Sequence, residues 1–207
     1  MILLLFVSCV FLVLLRLTFT IFLRFSPEKL KCVDGVAVVI GSGGHTAEML
    51  RMLSRLDPAK FRRRVYLIAD SDTSSPAKVL AFESGREDFQ IQLVPRMRVP
   101  LQSWTSALLR APRAFAVCLK VVLDARPKLV LCNGPGTCVP VIVAAILLEA
   151  LLFRKTQIVF IESICRVQTL SLSGRLLYYL LWRHQFLVQW PELVLKYPRA
   201  TYIGQLV

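Results

Sequence analysis

The sequence predicts a doubly wound α/β domain, a parallel sheet covered by helices on both faces. Short, continuously apolar runs alternate with stretches of helical spacing, as in a parallel sheet buried on both sides. Two of these runs end in glycine turns that lead straight into helical stretches, Gly41-Ser42-Gly43-Gly44-His45-Thr46 and Asn133-Gly134-Pro135-Gly136-Thr137. The chain has 207 residues, enough for one such domain and an appendage.

The appendage comes first. Ile2 to Leu23 holds one charge, Arg16, and neither Pro nor Gly. As a helix it would span roughly 33 Å, about a bilayer core. The 56% hydrophobic content and mean hydropathy of +0.60 also exceed those of an ordinary soluble domain. A cleaved signal peptide is the rival, but no basic stretch precedes the run and no small-x-small site follows it. Arg24, Lys29 and Lys31 flank its C-terminal end, so the positive-inside rule puts the bulk of the chain in the cytosol. The expected organisation is a single-pass transmembrane anchor at 1–24, a tether at 25–32 and a Rossmann-like domain at 33–207.

The formal charge of +13 attracts anionic membrane surfaces, phosphates or nucleic acid. The sequence carries no recognisable nucleic-acid module, so a phosphate-bearing lipid is the better partner. Cys9, Cys32, Cys118, Cys132, Cys138 and Cys165 are scattered, without CxxC or metal-ligand spacing. They read as buried, reduced thiols, with neither disulfides nor zinc expected.

Strands are expected at Val33–Ile40, Val65–Ala69, Ile91–Val94, Leu129–Cys132, Ile158–Ile161, Phe186–Gln189 and Thr201–Ile203. The turn after the first strand aims backbone N–H groups and a helix N-terminus at one point, which favours an anion. Thr46 is the expected helix cap, with Glu48 suiting the helix dipole. The loop is not a P-loop, since no Lys follows the glycines. It also misses the GxGxxG fingerprint, because Thr46 stands where the third Gly should be. His45, one of two histidines in the chain, sits at the mouth of this turn, where it could donate to phosphate or act as a base.

Arg51, Arg55, Arg62, Arg63 and Arg64 read as a solvated basic face on the first helix and its exit. Asp70 to Thr73 reads as loop and cap, and Glu83, Gly85, Glu87 and Asp88 as a polar surface turn. From Pro95 to Arg113, arginines mix with apolar residues at helical spacing, either a core-facing helix or a basic surface leaning on a bilayer. Pro112 should kink or divide that helix. Val139–Phe153 reads as a buried crossover helix, being short for a span and carrying Pro140 and Glu149. Both glycine turns fall at the carboxyl edge of the sheet, where such folds bind ligands. Glu162, Ser163 and Arg166 end the fifth strand at the same edge, and Glu162 may alternatively pair with Arg166 as a loop brace. His184 reads as a surface residue.

Gly41 to Thr46, Leu131 to Pro140, Glu162 to Val167, Val188-Gln189-Trp190-Pro191 and Tyr202-Ile203-Gly204 together resemble the motifs of one family. It is the membrane-anchoring subunit of the UDP-N-acetylglucosamine transferase of dolichol-linked oligosaccharide synthesis (Alg fourteen type). The resemblance implies a GT-B N-terminal, acceptor-binding half-domain on the cytosolic face of the endoplasmic reticulum. It implies a separate catalytic UDP-GlcNAc-binding subunit (Alg thirteen type), with the first mannosyltransferase of the pathway as a further partner. Together the subunits would add the second GlcNAc, β1,4-linked, to GlcNAc-diphosphodolichol, with no cofactor. On this resemblance Gly41, Ser42, Gly43, Gly44 and Thr46 would bind the acceptor diphosphate, and His45 or Glu162 would be the catalytic base. Asn133, Gly134, Pro135, Gly136, Thr137, Ser163 and Arg166 would form the acceptor-site wall. Tyr202, Ile203, Gly204, Gln205, Leu206 and Val207 would dock the catalytic partner. The alternatives are a non-enzymatic membrane scaffold or inactive paralogue, and a nucleotide-dependent oxidoreductase, which the missing fingerprint disfavours.

Overall fold

A computed structural model describes residues 8, 10–18, 32–96, 104–134, 136–152, 155–181 and 184–206, without the side chains of 104–109. Seven strands form one sheet: β1 (Val33–Ile40), β2 (Phe61–Ala69), β3 (Phe89–Val94), β4 (Leu129–Asn133), β5 (Gln157–Ile161), β6 (Gln185–Val188) and β7 (Thr201–Tyr202). Their order is β3-β2-β1-β4-β5-β6-β7, with every pairing parallel. All seven strands expected from the sequence are present. Between them run α1 (Gly44–Ser54), α2 (Ser75–Phe82), α3 (Trp104–Ala125), α4 (Cys138–Leu152), α5 (Leu172–Leu180) and α6 (Pro191–Lys196).

The order reverses between β1 and β4, so the loops after these two strands diverge to opposite faces and leave a crevice between them. Both central strands are buried along nearly their whole length, which is why their sequences are apolar without alternation. Met49, Met52 and Leu53 of α1 join Val36, Val38 and Tyr66 in one apolar cluster. Cys118 of α3, Ile142 of α4 and Leu177 of α5 join Val39, Val130 and Phe160 in the other. The crossover helix α4 is buried in the protein, as the sequence suggested.

Three local expectations are corrected. The second strand begins at Phe61, four residues before the apolar run, so Arg62 to Arg64 belong to a strand. Arg64 is 2% exposed and its Nη1 lies 2.7 Å from Glu83 Oε1. Glu83 is accordingly buried, taking the Tyr66 hydroxyl as a second donor, while Arg86 closes over it at 3.1 Å. Burying one charge forces a buried partner, and the turn around Gly85 supplies it. Next, α3 continues through Pro112 undivided. Ala114, Cys118 and Val122 are buried at four-residue spacing, and this packing outweighs the hydrogen bond that proline removes. Finally, His184 is not a surface residue: its side chain is 9% exposed, its Nδ1 accepts from Ile158 N at 3.3 Å, and its Nε2 lies 4.0 Å from Glu149 of α4. A residue just ahead of an inner strand is enclosed by the helix that crosses over it.

Among the described residues, no helix is long and apolar enough to cross a membrane. Residues 10–18 are helical, with Phe11, Leu12, Leu14 and Leu15 exposed. The rest of the expected anchor, apart from Ser8, and the tether before Cys32 lie outside the described residues. So do Pro135, Val207 and the arginine-bearing stretch 97–103. The described cysteines form no disulfide; Cys118, Cys132 and Cys138 are buried as expected, whereas Cys32, ahead of β1, and Cys165, in the loop after β5, are exposed.

Candidate functional site

The loop after β1 turns through Gly43, whose φ of 66° is one that side-chain-bearing residues rarely adopt. Helix α1 starts at Gly44, three residues earlier than expected, and Gly43 rather than Thr46 is its N-cap. Thr46 is instead wholly buried inside the first turn. Its hydroxyl donates to Gly41 O and lies 2.7 Å from Ser75 Oγ, which donates to Asp72 at 2.6 Å. Asp72 also accepts from the Ser74 and Ser75 backbone N–H groups, as the loop-and-cap reading anticipated. Thr46 therefore braces the turn from below.

Above it, Ser42, Gly43 and Gly44 are exposed, and no side chain caps α1. The helix thus presents unpaired N–H groups at the positive end of its dipole. Arg96, just beyond β3, donates to Ser42 Oγ at 3.0 Å and adds a cation to the same rim. The sequence reading had not assigned Arg96 to the site, and its position beyond a strand's carboxyl end was the available signal.

His45 spans the crevice. Its Nδ1 is 3.0 Å from Asn133 Oδ1 at the end of β4 and 3.7 Å from Glu48 Oε2. An amide oxygen only accepts, so Nδ1 carries the proton and Nε2 carries the free lone pair. Glu48 beside the ring holds the imidazole above its ordinary value of 6.5, against burial and with help from Asn133 and Glu162. This pairing stabilises the fold fully below about pH 6.5 and is lost as pH rises through the raised value.

Glu48 is the unanticipated residue. It lies on the same helix face as His45, three positions on, and is 3% exposed. Its carboxylate accepts from Ile164 N at 2.8 Å, Ser163 Oγ at 3.1 Å and Gln189 Nε2 at 2.6 Å. Burial pushes its pKa up, but these donors and His45 outweigh that and hold it below the usual carboxylate value. Gln189 also donates to Glu162 O at 3.1 Å, and Trp190 Nε1 donates to Ile164 O at 2.6 Å. The Val188-Gln189-Trp190-Pro191 stretch thus fastens the loop after β5 from beneath.

Glu162 is fully buried and does not hydrogen-bond Arg166, which is exposed. Its carboxylate accepts from the N–H groups of Ser163 and Ser171 and from Ser171 Oγ, at 3.0–3.1 Å, against the start of α5. Burial raises its pKa, opposed by those bonds. Asn133 and Thr137 are buried at the β4 loop, while Gly136 is exposed. Gly134, at φ 64°, lies against the imidazole: a Cβ there would meet His45 Cε1 at 2.8 Å and Nδ1 at 3.2 Å. Gly134→Ala is therefore expected to push the ring aside and lower any activity that depends on His45 at least about tenfold. Turnover of the variant measured beside its thermal melt would separate this from unfolding.

A parallel sheet whose switch point carries an uncapped, cation-rimmed helix start and a held histidine makes this a doubly wound α/β domain with a candidate site at its crevice. Its fold resembles that of the crystal structure of Acinetobacter baumannii MurG, with a TM-score of 0.53 at 13% identity over 75% of this chain and 40% of that one. The α/β fold expected from the sequence is thereby shared with that structure. Residues 36–206 match the family described as "Oligosaccharide biosynthesis protein Alg14 like", and the chain belongs to that family. The human protein named UDP-N-acetylglucosamine transferase subunit ALG14 is 44% identical over 181 residues, covering 83% of this chain and 82% of its own. The Yarrowia lipolytica protein of the same name is 44% identical over 174 residues, covering 82% and 80%.

Proposed function

We propose that this chain is the acceptor-binding subunit of a UDP-N-acetylglucosamine transferase, anchored by residues 1–24 at the cytosolic face of the endoplasmic reticulum. It binds GlcNAc-diphosphodolichol and recruits a catalytic partner of the Alg thirteen type that holds UDP-GlcNAc. The first mannosyltransferase of the pathway would associate with this complex. The observation that carries the reading is His45, held across the switch point beside an open, positively polarised helix start, in a chain of this family.

The diphosphate would lie over Ser42, Gly43 and Gly44, with Arg96 at the rim. His45 Nε2 would take the proton of the acceptor 4-hydroxyl as its oxygen attacks the anomeric carbon of the donor sugar. UDP departs from the opposite face, and the new bond is β1,4. Asn133 keeps the ring in the required tautomer, and Glu48 stabilises the imidazolium that forms. Glu162, enclosed on all sides, serves by positioning the loop and the start of α5.

The test is GlcNAc transfer to a GlcNAc-diphosphate-phytanyl acceptor by membranes bearing this chain, the catalytic partner, or both. Transfer is expected only from both, with kcat/KM rising as pH climbs through a value above 6.5. Transfer by this chain alone, or co-purification of the pair without transfer, would overturn the reading.

A further inference from the structure

Gln189 joins two parts of the molecule that the site itself does not connect. It is 1% exposed, at the carboxyl end of β6. Its Nε2 donates to Glu48 Oε1 at 2.6 Å, while its Oε1 accepts from Leu206 N at 2.9 Å. A planar amide used at both ends has only one workable orientation. Turned over, it would set its oxygen against a carboxylate and its NH2 against an N–H. Glu48, in turn, lies 3.7 Å from His45. In the segment after β7, Ile203 N bonds to Val188 O at 3.1 Å and Ile203 and Leu206 pack, partly buried, against the apolar cluster under β1, while Gln205 is exposed.

We propose that the segment 203–206 acts on the site, with Gln189 relaying its docking through Glu48 to His45. This rests on the proposed function, together with the docking of the catalytic partner at residues 202–207 that the family resemblance implies. With Leu206 released, Gln189 Oε1 is left buried without a partner, and the amide is held from one end alone, by its bonds to Glu48 and to Glu162 O. The Glu48 carboxylate then keeps Ser163 and Ile164, while its closest donor is less firmly positioned. Partner docking holds Leu206 in place and sets the imidazole for proton transfer. The charged groups that bear on His45 are Glu48 on its own helix and Glu162 at the end of β5. Arg96 stands beyond them at the Ser42 rim, and Arg166 bears on Glu162. Gln189's side-chain amide reaches the carboxylate of Glu48 and only the backbone carbonyl of Glu162.

The chain's two histidines make a direct test possible by following the imidazole C–H signals of the full chain in detergent against pH, assigned with His45→Gln. The wild-type His45 midpoint is expected above 6.5, and Glu48→Gln should lower it by about one unit. A chain ending after Gly204 should lower it by about half a unit. Added partner should restrain and raise it in the wild type and not in Gln189→Leu. Identical titration of the wild-type and shortened chains, with Glu48→Gln shifted, would overturn the relay. Should Gln189→Leu fail to fold, the shortened chain and the partner addition still decide. A normal relay in a complex that transfers no sugar would refute the proposed function and leave the relay standing.

Discussion

Replacing His45 by alanine is expected to lower GlcNAc transfer by the two-subunit complex roughly 10²–10⁴-fold, with binding of the catalytic partner unchanged. The magnitude is that of a positioned general base. Partner binding survives because the docking segment after β7 does not itself touch the ring, the two being joined only through Gln189 and Glu48. His45→Gln sharpens the comparison, because an amide side chain can still reach Asn133 yet offers no lone pair of suitable basicity. Both variants should lose the pH dependence above 6.5 together with the rate. Near-normal turnover in either would remove His45 as the base.

Gly174→Ala is expected to destabilise the protein by about 3 kcal/mol, against the ordinary rule that alanine in a helix gains about 1 kcal/mol over glycine. Gly174 lies in the first turn of α5, and its N–H donates to the N-cap Ser171. A Cβ at this position would stand 2.0 Å from Glu162 Oε2 and 3.0 Å from Ser171 Oγ. A free carboxylate would swing away, but this one is buried and bonded to Ser163 and Ser171. Displacing it strands a buried charge and the serine cap together. A melt followed by circular dichroism should show a fall of roughly 6–12 °C, and an unchanged or higher midpoint would refute the account.

The sheet was legible in the sequence because its strands are buried on both faces, so apolar runs such as Val36–Ile40 announce themselves without alternation. The convergence of the two glycine turns was legible too, since a parallel sheet puts every βα turn on one edge. What escaped was polar and buried. Arg64 was read with its exposed neighbours Arg62 and Arg63, because single-sequence pattern carries no sign of the Glu83 awaiting it across the strands. Glu48 was placed as a dipole partner by assuming that Thr46 capped the helix, and the cap at Gly43 turns it inward instead. Its donors come from residues 163, 164 and 189, distances along the chain at which local pattern is silent. His184 was misplaced for the same reason, its partners lying in α4 and β5.

The spacing of the Glu48 partners also dictates when the site exists at all. Glu48 and Gln189 are 141 positions apart, and Glu48 and Ser163 are 115 apart. During synthesis, β1, α1 and β2 emerge and pair long before β6 is made. The histidine and its acid are then present on a partial sheet with nothing to orient them. Closing loops of this length ranks among the late and slow events in folding parallel sheets. A nascent or prematurely terminated chain therefore carries the glycine turn without an oriented histidine. Competence is acquired in one late step, when the last strands dock.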